Sequence, residues 1–196
     1  MIVRRFVVPV LAATMLVAAC KKDPPPPPAP TVNQDSIDAA RAAEAARQQA
    51  EAEAAAAARE AAREAAALER AVAAARATLE EMVFFDYDMS EIRDDAAAVL
   101  RRKVDVLRAS PQVQLMIEGH ADERGSTEYN LALGNRRSDA IRAVLTGYGL
   151  SEARFNITSY GEERPLASGS NESSWARNRR GQFVITAGAN AINPPN

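Results

Sequence analysis

"QVQLMIEGHADERGSTEYNLALGNRRSDAIRAVL", residues 112–145, changes its hydrophobic period at one point, and that change predicts the fold. The opening "QVQLMIEG" alternates polar and apolar residues, the repeat of a strand with one wet face. A loop, "GHADERG", follows, and from about Ser126 to Thr146 apolar residues recur at helical spacing. At about 100° per residue, Leu133, Ala140, Ile141, Val144, Leu145 and Tyr148 share one arc. Arg137 falls near its centre, Arg136 at its edge and Arg142 almost opposite.

A guanidinium on a buried stripe is expensive unless paired, so an acidic group is expected to meet Arg137. One answer is an internal ion pair with Glu118, Asp122 or Asp88. The other is a ligand. Asp122 sits in a loop leading into a helix N-terminus, where oriented amides and the macrodipole favour an anion. With Asp122 accepting from an ammonium and Arg137 gripping a carboxylate through its fork, the pair suits a zwitterion. Spacing alone does not choose between the two.

Outward from this stretch, "MVFFDYD" reads as a strand and "SEIRDDAAAVLRRKVDVLRAS" as a helix capped at Ser90, with Ile92, Ala96, Val99, Leu100, Val104 and Leu107 on one side and Pro111 ending it. "RFNITSYG" is a further strand, "ESSWARNRR" a short helix and "GQFVITAG" a last strand, before a Pro-ending tail, residues 188–196, expected to be disordered. Strands and helices intermixed over residues 82–187 predict an α/β (α+β) sandwich, its helices packed on one face of a mixed sheet.

The first eighty residues cannot build such a core. "MIVRRFVVPVLAATMLVAAC" carries Arg4 and Arg5, a short apolar run and small residues before Cys20, the pattern of an export signal over residues 1–19. Cys20 is the only cysteine, so no disulfide within the chain is available, and "LVAAC" resembles a bacterial lipobox, which implies acylation of Cys20. Several acyl chains anchor stably where one is marginal. Lys21 and Lys22 follow rather than Asp, which by the enteric sorting rule implies the outer membrane. Residues 20–34 hold the proline-rich linker "KKDPPPPPAP", a polyproline II segment by composition. Residues 35–80 are alanine with interspersed Glu, Arg and Gln, a helical spacer capped at Asp35 or Ser36 and on the order of 65 to 70 Å long if unbroken. Near its end Leu68, Val72, Ala75 and Leu79 form a stripe able to seat against the globular part or a second helix.

Several functions are disfavoured. A net charge of -2 with mixed signs gives no field for nucleic acid. One histidine leaves no multi-histidine zinc site and no Cys/His nucleophile, and no cofactor motif is present. His120, beside Gly119 at a strand end, reads as a loop-ordering residue. Asp86 and Asp88, about 7 Å apart by strand rise, are the only pair reminiscent of a glycosidase, and such residues also serve as caps and ligand acceptors.

"VFFDYD", "IEGHADERGSTEYNLALGNRRSDAIRAVL", "SYGEERP" and "ARNRR", in this order, resemble the OmpA-like peptidoglycan-binding domain, and "GHADERG" with "EYN" and "RR" resembles its peptidoglycan-associated lipoprotein branch. The resemblance covers residues 82–187. It implies a pocket that holds the diaminopimelate side chain of the peptidoglycan stem without covalent chemistry, with Asp122 and Arg137 as the central pair and Arg124, Leu133, Tyr87 and Asp88 as further contacts. Asn135 stands where an acidic residue is frequent and is predicted to lie outside the pocket; Arg179 and Arg180 receive a supporting role, or by position alone are the charged end of a helix. The resemblance further implies a lipid-anchored protein of the outer membrane facing the periplasm, and TolB as a partner in the Tol-Pal system acting at cell division. The alternatives are a tethering lipoprotein independent of TolB and, remotely, a cell-wall hydrolase.

Overall fold

The computed structural model describes residues 33–195; the expected signal peptide, Cys20 and the proline-rich run lie outside them. The chain divides into two units, one ending at Ala52 and the other beginning at Glu53. In the first, α1 (Gln34–Glu80) starts, and its beginning is capped by Asn33 rather than by Asp35 or Ser36. The Asn33 side chain accepts from the Asp35 amide at 3.2 Å, and its carbonyl accepts from the Ser36 hydroxyl at 2.7 Å.

In the second unit the remainder of α1 leads to β1 (Val83–Phe84), α2 (Asp94–Ala109), β2 (Gln114–His120), α3 (Thr127–Gly147), β3 (Phe155–Gly161), α4 (Glu172–Asn178) and β4 (Arg180–Ala187). The strands form one mixed sheet in the order β1-β4-β2-β3, with β2 and β3 parallel and the other pairs antiparallel. Strand alternation on β2 sends Leu115 and Ile117 into a core shared with Phe183 of β4, Leu100, Val104 and Leu107 of α2, and Ile141 and Leu145 of α3. Met116 and Glu118 point to the other face, beside Val184 and Gln182 of β4.

Two glycines allow α3 to lie on the sheet. A Cβ added at Gly119 would fall 1.8 Å from the Gly134 carbonyl oxygen, so the backbones of β2 and α3 meet where neither carries a side chain.

Several boundaries differ from the sequence-based expectation. The strand at "MVFFDYD" closes after two residues, because the chain then bends around an arginine described below. The second helix begins at Asp94 and not at Ser90, whose amide donates to Glu91 Oε2 at 3.1 Å; Arg93 occupies the cap position without a side-chain bond. Tyr148, placed on the buried arc of α3, is exposed. The end of α1 belongs to the core. Ala75 and Leu79 are buried and Val72 packs against them, while Leu68 stays exposed. Lys103 of α2 is wholly buried and donates to the carbonyls of Thr78 and Leu79, both at 2.8 Å, capping the last turn of α1 with its ammonium over the Phe183 ring. Residues 188–195, expected to be disordered, pack on the domain: Ile192 is 4% exposed, and the Asn193 amide donates to Ser110 Oγ at 2.8 Å.

Candidate functional site

The carboxyl end of β2 and the start of α3 frame an open-mouthed cavity of about 400 Å³ counting its mouth. Tyr87 and Asp88 enter it from the β1–α2 loop, Asp122, Arg124 and Gly125 from the β2–α3 loop, and Tyr129, Asn130, Leu133 and Arg137 from α3. The six residues expected to line a pocket, Asp122, Arg137, Arg124, Leu133, Tyr87 and Asp88, are thus together on one wall or another of a single cavity. Asn135 is exposed and outside it.

Arg137 is fully buried, and its partners are not the acidic groups expected. Its Nε donates to the Met89 carbonyl at 2.8 Å, Nη1 to the His120 carbonyl at 2.8 Å and Nη2 to the Asp86 carbonyl at 3.0 Å. Carbonyl oxygens at the ends of two loops therefore satisfy a cation that periodicity alone assigned to a carboxylate. The arginine ties the β1–α2 loop to the end of β2, which is why β1 stops so early. Burial pushes its pKa down to about 10, opposed by the negative Asp122, so it remains charged at neutral pH. Three of its five N–H groups are engaged in this way.

Asp122 is 4% exposed and is the nearby negative charge. Burial alone would raise its pKa; hydrogen bonds from the Arg124 side chain and amide and from Arg179 outweigh this and hold it below the usual carboxylate range. Arg124 bonds it through Nε at 3.0 Å and Nη2 at 2.7 Å, and its amide does so at 3.1 Å; Arg179 Nη1 adds a contact at 3.3 Å. Arg179 also donates to the Phe85 carbonyl at 3.1 Å and to Glu172 at 2.7 Å, so it is a buried strut rather than the exposed charge at a helix end. Arg180 is likewise buried, at the start of β4.

Around the mouth, Tyr87 is 57% exposed and Tyr129 44%. The Tyr129 hydroxyl donates to Asp88, a residue held at φ 57, the left-handed region that few non-glycine residues adopt. Asp86 and Asp88 lie in this turn, not on a strand, and Asp86 pairs with Arg93 at 3.2 Å; the strand-spaced carboxylate pair considered above therefore does not form. At the start of α3, Ser126 caps by accepting from the Tyr129 amide at 3.3 Å, while Thr127 and Asn130 donate to Glu162 at 2.9 and 2.6 Å.

Asn130 and Tyr129 were legible in principle, because they stand one or two turns before Leu133 and Arg137 on the same side of α3. Glu162 and Trp175 carried no local signal and Arg179 was named only through the resemblance; all three reach the site through β3, α4 and their loops. Among the described residues no cluster of His, Cys, Asp or Glu is arranged to hold a metal.

A buried carboxylate, a buried cation and two exposed tyrosines thus line one open cavity. Residues 84–179 match the model of the OmpA family. The peptidoglycan-associated lipoprotein of Brucella melitensis is 46% identical over 105 residues, 54% of this chain and 62% of the relative. That of Pseudomonas aeruginosa is 45% identical over 97 residues, 50% of this chain and 57% of the relative. The matched part of this chain thus spans less than two thirds of either lipoprotein. The crystal structure of the peptidoglycan-associated lipoprotein from Burkholderia pseudomallei superposes with a TM-score of 0.53 at 40% identity, covering 55% of this chain and 91% of that one. The chain belongs to the OmpA family, in its peptidoglycan-associated lipoprotein branch.

Proposed function

We propose that the cavity at the end of β2 holds peptidoglycan without forming a covalent bond, by binding the diaminopimelate side chain of the stem peptide. The observation that carries this reading is Asp122, a buried carboxylate at the floor of an open cavity with the buried cation Arg137 beside it. A zwitterionic amino-acid head carries an ammonium and a carboxylate close together, and this cavity sets a carboxylate and a cation among its lining residues. The chain would then be a lipoprotein anchored through Cys20 in the outer membrane, facing the periplasm and tethering that membrane to the wall. The "LVAAC" sequence and the names of the relatives support this part.

Within the same reading the domain takes TolB as its protein partner in the Tol-Pal system that draws the outer membrane inward at division; a tether independent of TolB is the alternative, separated by a pull-down with the organism's own TolB. No catalysis is proposed.

The test is co-sedimentation of the full chain with purified sacculi. Wild type sediments and Asp122→Ala, still folded by circular dichroism, stays in the supernatant. Equal sedimentation of both, or release of soluble fragments from the sacculi, refutes the reading.

A further inference from the structure

Asp122 has no free acceptor position in this state. A carboxylate offers about four lone-pair sites, and the two bonds from the Arg124 side chain, one from its amide and one from Arg179 occupy them. An incoming ammonium must displace one of these donors. The amide belongs to the loop backbone, and Arg179 is 6% exposed and held from two further sides. The Arg124 side chain, 28% exposed at the mouth, is the donor free to yield.

Its surroundings give that movement a direction. The guanidinium sits over two rings, its carbon 3.9 Å from the centroid of Tyr87 and 4.2 Å from that of Trp175. Contact with two ring faces holds the group without directed bonds, and so leaves it able to shift while keeping that contact. Glu172 stands beside it, its Oε1 held by Arg179 at 2.7 Å, its Oε2 3.8 Å from Arg124 Nη1 and its side chain 64% exposed.

We propose that Arg124 is a built-in competitor for Asp122 and a specificity residue of the site. The ligand's ammonium takes its place on the carboxylate, and the released guanidinium shifts over Tyr87 and Trp175 toward Glu172 and the ligand's own carboxylate. This rests on the reading that the cavity takes a zwitterionic stem residue. A zwitterion breaks one ion pair and makes two, whereas a simple amine leaves Arg124 with the exposed Glu172 alone. The preference for an amine carrying a carboxylate follows from that difference.

Trp175 is the only tryptophan of the chain, so its fluorescence reports the movement directly. The full chain is titrated with free diaminopimelate and with cadaverine, which has the same carbon chain between two amines and no carboxylate, in wild type, Arg124→Gln and Arg124→Lys. Diaminopimelate changes Trp175 emission at saturation in wild type. Arg124→Gln binds cadaverine tighter by about threefold or more, the scale of a part-exposed ion pair, and its preference for diaminopimelate over cadaverine falls by about the same factor. Arg124→Lys, charged but without the fork, lies between. An unchanged preference in Arg124→Gln, equal weakening of both probes, or saturation of wild type with no change in emission overturns the proposal while sacculus binding stands. Failure of wild type to bind either probe or sacculi sinks the site reading and the proposal with it.

Discussion

Replacing Arg137 by alanine removes a charged donor from three main-chain carbonyls at once, those of Asp86, Met89 and His120. Hydrogen bonds from charged groups contribute about 1.5–3 kcal/mol each. Three of them give about 4–9 kcal/mol, and the lower end applies, because the bonds to Met89 and Asp86 are only part-buried and water can replace the arginine there. A loss of about 4–5 kcal/mol is comparable to the whole stability of many domains, about 5–15 kcal/mol. Arg137→Ala is therefore expected to shift the urea midpoint down by about 2 M, or to abolish the folded baseline, when unfolding is followed by Trp175 fluorescence. Arg137→Lys places one ammonium where three directed donors stood, and recovers part of the loss. A measured change below about 1 kcal/mol for Arg137→Ala refutes the account: the carbonyls would then be satisfied by solvent and the arginine free to serve a ligand alone. The consequence for function is direct. Loss of sacculus binding in Arg137→Ala is no proof of contact unless folding survives, whereas Asp122→Ala leaves every main-chain carbonyl with its donor, leaves Arg124 reaching the surface and Arg179 with its bonds to Phe85 and Glu172, and gives the cleaner test.

Two further perturbations follow from buried groups. Both ring nitrogens of His120 lack a hydrogen-bond partner among the described residues, and burial, aided by the nearby Arg180 and Arg164, pushes its pKa down to about 4 from 6.5. The folded state thus binds fewer protons than the unfolded one between these values; stability is lost as pH falls from about 6.5 to 4, by about 3 kcal/mol at 1.36 kcal/mol per unit, and a His120→Gln variant followed by urea midpoints across that range lacks this part of the slope. Equal slopes in both proteins contradict the burial argument. At the other end of the domain, Ile192→Ala is expected to lower stability by about 2–4 kcal/mol, and truncation after Ala187 by at least as much, measured by thermal unfolding; an unchanged midpoint would show that the packed tail contributes nothing.

The period change between "QVQLMIEG" and the helix after Ser126 was enough to place β2, the loop and α3, since alternation and helical spacing are properties of the chain itself. The same periodicity put Arg137 on a buried stripe and marked it as a residue with an obligation to be satisfied. Lys103 went unnoticed although it lies within the buried side of α2, because a lysine is ordinarily a surface residue and only the end of α1 folding onto it supplies the two carbonyls it caps.

Sequence by itself determined the order of elements, the α/β class and the family motifs, and through the family resemblance it named six of the ten residues that line the cavity. Tertiary structure alone decided how the charges are matched. Periodicity reports that a guanidinium is buried but says nothing of its partner, and backbone carbonyls from Asp86, Met89 and His120, 17 to 51 residues from Arg137 along the chain, converge on it only once the β1–α2 loop closes over the end of β2. Asp122 likewise acquires Arg179, and Arg124 acquires Trp175, from the far end of the domain. Hydrophobic pattern is local and survives in one dimension; the pairing of buried charge depends on directed bonds across the fold, and those exist only in three.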